Sequence, residues 1–423
     1  MFSFKRPEQL LSQVKKTFYI YFGNLVASGI SIAVLPIIAR IYSPSDFGIF
    51  QLFFAWVSIA APISSLGLHE ALFVSHKDKN IESSFGFYAV VLLVSSTFLC
   101  AIFFIINNIE FSVSFSAEIF GLFFAILYAS GIFKFYQSYC VYVEKWRALI
   151  VAIILFSLFS NAIKLLIGLY NPGYLGLIVS VLLGYLLTVI CSFRSFPRVR
   201  FLSSFSLFKK YFSDFRNLVS GGTLSQFLGA VIAWFSIFSS SFVGYSPAQI
   251  GFISMALTLV QTPIYPLIHA SYNNLVSQCS KTFDDKKVNL TEVNKNISIN
   301  IVLSVAIMAF YYIVAEYFLN KILGEAWDGV KPYIYLMLIP VLLSLILSPA
   351  YRTQALLSGR QIYLFYIDSI SLLVLLTYAV FAKFYGIDVL NYLIFLSLML
   401  GSAHICKFLI IHKFSKLDFD ASL

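Results

Sequence analysis

The chain has 423 residues, 60% of them hydrophobic and 11% charged, with a formal net charge of +10. A soluble domain of this size needs a charged surface, whereas a bilayer demands apolar runs of about 20 residues per helix with all backbone polar groups satisfied internally. The composition therefore excludes a soluble globule, and it excludes a nucleic-acid binder because the basic residues sit in short loops rather than on one face.

In chain order, the opening "MFSFKRPEQLLSQVKKTF" is basic and amphipathic. It lacks the compact apolar core and small-residue site of a cleavable signal, so it is expected to stay on the mature protein. Apolar runs of spanning length are predicted at about 17 to 42, 47 to 75, 85 to 106, 117 to 140, 148 to 170 and 174 to 193. A second set is predicted at about 215 to 243, 249 to 277, 296 to 319, 332 to 353, 362 to 383 and 389 to 412. The expected fold is thus an all-α polytopic membrane protein with about twelve helices. Residues 1–193 would form one six-helix half and 215–423 the other, joined by a linker at 194–214.

A short phrase recurs between the first and second helix of each set. Tyr42, Ser43, Pro44 and Gly48 correspond to Tyr245, Ser246, Pro247 and Gly251. Ser-Pro starts a helix well, because Ser caps orphan amides and Pro suits the first helical position. Glycine one turn later permits close helix packing in lipid. Placed near half the chain length apart, the two turns suggest a duplication with both copies running the same way and a central cavity between the halves. In the linker, Phe201, Phe205, Phe208, Phe212 and Phe215 form one helical stripe with Lys209, Lys210 and Arg216 off it. This is the pattern of an interfacial helix, and equally of a packed lead-in to the seventh span.

Loop charge orients the chain. One side collects 23 Lys and Arg and the other only Arg40, Lys321, Lys331 and Lys383, which places both termini in the cytoplasm. The five cysteines are scattered, with no CxxC pair, and give neither a disulfide framework nor a metal site. No Walker loop, HExxH or GxSxG is present, so neither an enzyme nor a cofactor is expected.

The stretch "LPIIARIYSPSDFGIFQLF", followed by "SLGLHEALFVSHKDK", resembles the start of a Wzx-type polysaccharide flippase, as used for O-antigen or capsule repeat units. These flippases belong to the multidrug, oligosaccharidyl-lipid and polysaccharide exporter superfamily. "YSPAQIGFISMALTLVQTPIYPLIHASYNNLVSQCSK" and "LGEAWDGVKPYIYLML" extend the resemblance over most of the chain. Of an Arg-Tyr-Glu pattern often found late in the family's second helix, Glu70 matches while Leu68 and His69 depart. The resemblance implies a transporter of the bacterial inner membrane that moves an undecaprenyl-pyrophosphate-type lipid-linked oligosaccharide by alternating access. Its partners would be that substrate, membrane lipids, and the polysaccharide polymerase and chain-length machinery. A small-molecule exporter of the same superfamily is the nearest rival. A membrane-bound glycan polymerase or ligase is a second, against which the short outer loops count.

Transport of this kind needs hydroxyls, amides and a few cations on otherwise apolar helices. Lys134 and Lys164 are the sharpest cavity candidates, since a mid-helix charge costs about 2.5 to 3.5 kcal/mol on insertion scales and usually faces water. Asn161 shares a face with Lys164, which alternatively snorkels to the nearby outer loop. Arg40 and Arg352 lie near helix ends as anchors or substrate contacts. Asn24 and Gln226 are cavity candidates too, although interhelical hydrogen bonding explains them, His269 and His404 as well. Glu70 and Asp368 are candidates for ion coupling or simple pairing. Pro62, Pro263 and Pro266 interrupt the backbone ladder and are hinge candidates.

Overall fold

The computed structural model describes residues 7–70, 81–107, 115–196, 223–281, 290–358 and 360–420, and among them there is no strand. The first six long helices are α1 (Pro7–Ile41), α2 (Pro44–Ser65), α3 (Ile81–Asn107), α4 (Ala117–Tyr142), α5 (Trp146–Tyr170) and α6 (Tyr174–Ser192). The rest are α7 (Thr223–Val243), α8 (Pro247–Lys281), α9 (Leu290–Ile313), α10 (Lys331–Leu357), α11 (Gln361–Tyr385) and α12 (Val389–Asp420). Among the described residues, twelve helices are long and apolar enough to cross a membrane. The expected linker helix lies, beyond the turn Phe193–Ser195, outside the described residues.

Helix ends shift at both termini, where α1 begins at Pro7 and α12 runs to Asp420, and two further elements differ from the sequence expectation. The second helix ends at Ser65 instead of running to 75, because Leu66 (φ 45°) and Gly67 (φ 64°) both take the left-handed conformation. A Cβ-bearing residue such as Leu66 is uncommon there, and two left-handed residues in succession stop a right-handed helix. α9 in turn continues through a π-helical turn, Val314–Phe318, and the segment Leu319–Leu323. The π turn widens the helix where Glu316 meets the start of α10: Glu316 pairs with Lys331 and accepts a hydrogen bond from Tyr335 Oη at 2.9 Å.

The repeated turns are capped as their sequence suggests. The Asp46 amide donates to Ser43 Oγ at 3.1 Å, and the Gln249 amide donates to Ser246 Oγ at 3.3 Å. At the second turn Gln249 Oε1 accepts from the Ser246 amide at 2.9 Å, completing a capping box. Each preceding tyrosine ties its turn to a later part of the same repeat. Tyr42 Oη donates to the Lys164 carbonyl on α5 at 2.7 Å, and Tyr245 Oη to the Ile387 carbonyl between α11 and α12 at 2.8 Å.

By contact the chain divides into two compact units. The first comprises residues 1–42 and 52–234; the second comprises 43–51 and 235–423. The opening of α2 thus goes with the second unit and the opening of α7 with the first. Within the first unit α1 packs on α5, α5 on α6, α3 on α4 and α4 on α6. Within the second, α9 packs on α10, α10 on α12 and α11 on α12, with α8 also against α10. Three of these pairings recur at a six-helix offset, as a parallel duplication requires.

The glycines of the two turns meet inside the second unit. A Cβ on Gly48 would lie 2.0 Å from the Pro247 carbonyl oxygen, and one on Gly251 would lie 1.9 Å from that of Pro44. Only hydrogen fits at either position. Beside them the buried Trp327 receives Phe47 and Phe252 edge-on, at 5.7 and 6.1 Å between ring centres.

Candidate functional site

In the first unit one of the expected cavity residues, Asn161, serves helix packing. Asn161 is buried, and its Nδ2 donates to the Ser157 carbonyl at 2.8 Å and to Ser31 Oγ at 3.3 Å. Ser157 Oγ donates to the Ala27 carbonyl at 2.9 Å, so this polar knot fastens α5 to α1. Lys164, one turn on, is half-buried, and its carbonyl is held by Tyr42 from the α1–α2 turn. It therefore lies level with a helix end. Lys134 is half-buried on α4, within electrostatic reach of His69. His69 is buried in the turn after α2, and burial, then the Lys134 charge, lowers its pKa to about 4. Arg40 and Asn24 are exposed, and Gln226 is half-buried. Glu70 closes the turn Leu68–Glu70, but its side chain lies outside the described residues. Pro62 is buried in the last turn of α2.

In the second unit the structure gathers polar groups that the sequence scatters. Arg352 on α10 is exposed, and among the described residues no acid pairs with it. It is within electrostatic reach of Tyr265 and His269 on α8 and of His404 on α12. His404 Nδ1 is 3.1 Å from Tyr351 Oη. Asp368 on α11 pairs with Lys407 on α12, and Lys407 Nζ is 5.9 Å from the centre of the Tyr351 ring. Pro263 and Pro266 lie within α8, which runs unbroken through both. Pro263 lines a groove of about 280 Å³ with Ile264, Leu267, Ala306, Ile307, Phe310 and Tyr311.

Two of these residues carry more than the sequence assigned them. Lys407, one of the 23 cations assigned to the loops, is instead buried inside α12 and paired with Asp368. The signal was present, since Lys407 falls within the predicted last span. Glu316 is the other; an acid late in an apolar run was the sign available. Asn296 and Asn300 are buried, and both share Ser271 on α8, which makes them glue between α8 and α9.

Residues 37–332 match the family described as polysaccharide biosynthesis protein. The chain belongs to that family. Comparison with curated proteins finds no match. Among solved structures, an inward-facing MATE family transporter of the MOP superfamily aligns over 96% of both chains at 15% identity, with a TM-score of 0.61. The lipid II flippase MurJ, in an inward closed conformation, aligns over 95% of this chain and 87% of its own at 12% identity, with a TM-score of 0.67. A MOP superfamily transporter from Pyrococcus furiosus aligns over 95% and 96% at 13% identity, with a TM-score of 0.56. This member of the polysaccharide biosynthesis family therefore has the MOP superfamily fold.

Proposed function

We propose that the protein moves a polyprenyl-pyrophosphate-linked oligosaccharide repeat unit from the inner to the outer leaflet of the bacterial inner membrane by alternating access. Its chain would act as two six-helix halves, 1–193 and 215–423, with both termini cytoplasmic. The observation that carries this reading is Arg352: a guanidinium on a spanning helix, exposed, within electrostatic reach of His269, with no acid paired to it among the described residues. An exposed cation near the end of a spanning helix is stable where water or an anion meets it. The planar fork of arginine suits a phosphate, which it can engage through two hydrogen bonds. Family membership supports a polysaccharide precursor as the cargo, and a resemblance in fold to a lipid II flippase supports a lipid-linked one.

Export of a cationic drug fits less well. The acid that the contacts bring to this cluster, Asp368, is already neutralised by Lys407, so the cluster keeps a positive balance. Polymerisation would be the task of a separate enzyme acting on the flipped unit. The test is the leaflet position of the lipid-linked repeat unit in cells lacking the protein, read with a membrane-impermeant glycan probe on intact cells and inverted vesicles. Complete units confined to the cytoplasmic leaflet are expected. Normal outward display of unpolymerised units would sink the proposal in favour of a polymerase.

A further inference from the structure

The polar side chains of α8 fall into two groups, which differ in whether the protein satisfies them. Ser254 and Thr258 donate to carbonyls one turn back at 2.7 and 2.8 Å, and Ser271 is shared by Asn296 and Asn300 of α9. Gln261, Thr262, Tyr265, His269, Tyr272 and Asn273 form the second group. They recur at three- and four-residue spacing and so make one strip along the helix, rising about 18 Å from Gln261 to Asn273. Tyr265 and His269 are exposed and the other four half-buried, whereas Ile264, Ile268 and Leu275, on a different face, are buried. None of the six side chains makes a hydrogen bond with the protein among the described residues. Polar groups left unpaired on a spanning helix are costly against hydrocarbon, so a strip of this length marks a face that meets water or a polar ligand.

Two features say which ligand. The middle of the strip is fixed beside the phosphate position, since Tyr265 and His269 are within electrostatic reach of Arg352. Its chemistry is also free of fixed charge: α8 contains no Asp or Glu, and no Lys or Arg before Lys281. Carboxamides donate and accept hydrogen bonds at once, which matches the vicinal hydroxyls of a sugar. Phenol rings add flat apolar faces with a polar tip, suited to the C–H face of a pyranose. Resting on the function proposed above, we infer that this face of α8 binds the sugar chain of the cargo while Arg352 holds its phosphate. Tyr265 stacks on the sugar nearest the phosphate, and the carboxamides of Gln261 and Asn273 take hydroxyls farther along. Gln261 and Thr262 lie towards the start of α8 from Arg352, Tyr272 and Asn273 towards its end. A glycan of several sugars therefore finds partners whichever way it extends.

The experiment compares two probes on the purified full chain. One is the lipid-linked oligosaccharide extracted from cells lacking the protein; the other is farnesyl diphosphate, which carries the phosphates without sugar. Wild type is expected to bind both. Tyr265→Ala, and separately the double variant Gln261→Ala with Asn273→Ala, should weaken oligosaccharide binding about tenfold, as for the loss of one or two neutral contacts. Farnesyl diphosphate affinity should change less than about twofold in either. Tyr265→Phe keeps the ring and should keep most of the affinity, which separates stacking from a folding defect. Equal weakening of both probes would assign the strip to folding or to the phosphate and overturn the inference. Unchanged binding of both would overturn it too and leave the flippase proposal standing. Wild type that binds neither probe, or farnesyl diphosphate alone, would overturn both.

Discussion

Arg352 and Asn161 were equally visible as polar residues on apolar helices, yet only their neighbours reveal what each does. Asn161 spends its amide on Ser157 and Ser31. Its replacement by alanine should cost stability by about 0.6 kcal/mol, the average for such bonds in a membrane bundle. Thermal unfolding in detergent checks this, and glycan export should be unchanged. Arg352 should behave in the opposite way. Arg352→Lys keeps the charge but loses the two-pronged contact, and Arg352→Gln loses both. Farnesyl diphosphate affinity should fall about tenfold in the first and towards a hundredfold in the second, as expected for losing a charged hydrogen bond of about 1.5 to 3 kcal/mol, with little change in melting temperature. His69 supplies a pH signature. Its folded pKa of about 4 lies below the ordinary histidine value of 6.5, so the unfolded chain binds the proton more readily. Stability is then full above pH 6.5 and declines as pH falls towards 4, by on the order of 3 kcal/mol at most. A His69→Gln variant should lose less stability than wild type between pH 7 and pH 4 in parallel melts. The sequence places His69 inside the predicted second span, 47 to 75, and its burial depends on the turn that brings it under α4.

At the scale of elements, the spans were legible because lipid imposes length and apolarity on each helix independently of its neighbours. What the pattern could not show was where backbone conformation overrides composition. The apolar run continues past Ser65, and only the left-handed Leu66 and Gly67 end α2 there. The repeated turn was legible as a helix start, and its glycine as a close-packing site; that the two glycines pack against each other's turns was not. This reciprocity makes a prediction about additivity. Gly48→Ala or Gly251→Ala alone must push the two turns apart, at a cost of about 1 to 3 kcal/mol. Once they have separated, the second methyl meets less resistance, so the double variant should be less destabilised than the sum of the singles. Melting curves of the four proteins decide this, and strict additivity would mean that the turns do not share one contact. Pairing of Asp368 is among the sequence expectations, and the structure shows it; the choice of Lys407 as partner was illegible, since it depends on the rotation of α12 against α11, which neither helix specifies alone.

For the molecule as a whole, the charge asymmetry of the loops survives the two corrections the structure makes to it. Lys407 leaves the loop count, as does Arg352, which lies within α10; the cations on the opposite side remain few. Orientation can therefore be tested through two exposed positions that the helices separate. Lys321 precedes α10 and Lys413 follows the apolar part of α12, so three candidate spans lie between them. An odd number of crossings puts the two on opposite faces, and the positive-inside rule puts residue 413 in the cytoplasm. In a variant lacking the five native cysteines, Lys321→Cys should react with a membrane-impermeant maleimide on intact cells. Lys413→Cys should react only after permeabilisation. Labelling of both from one side would mean that one of the three helices does not cross. Because Arg352 and the Asp368–Lys407 pair lie on α10, α11 and α12, the failed crossing would remove the bilayer setting on which the proposed role of Arg352 depends.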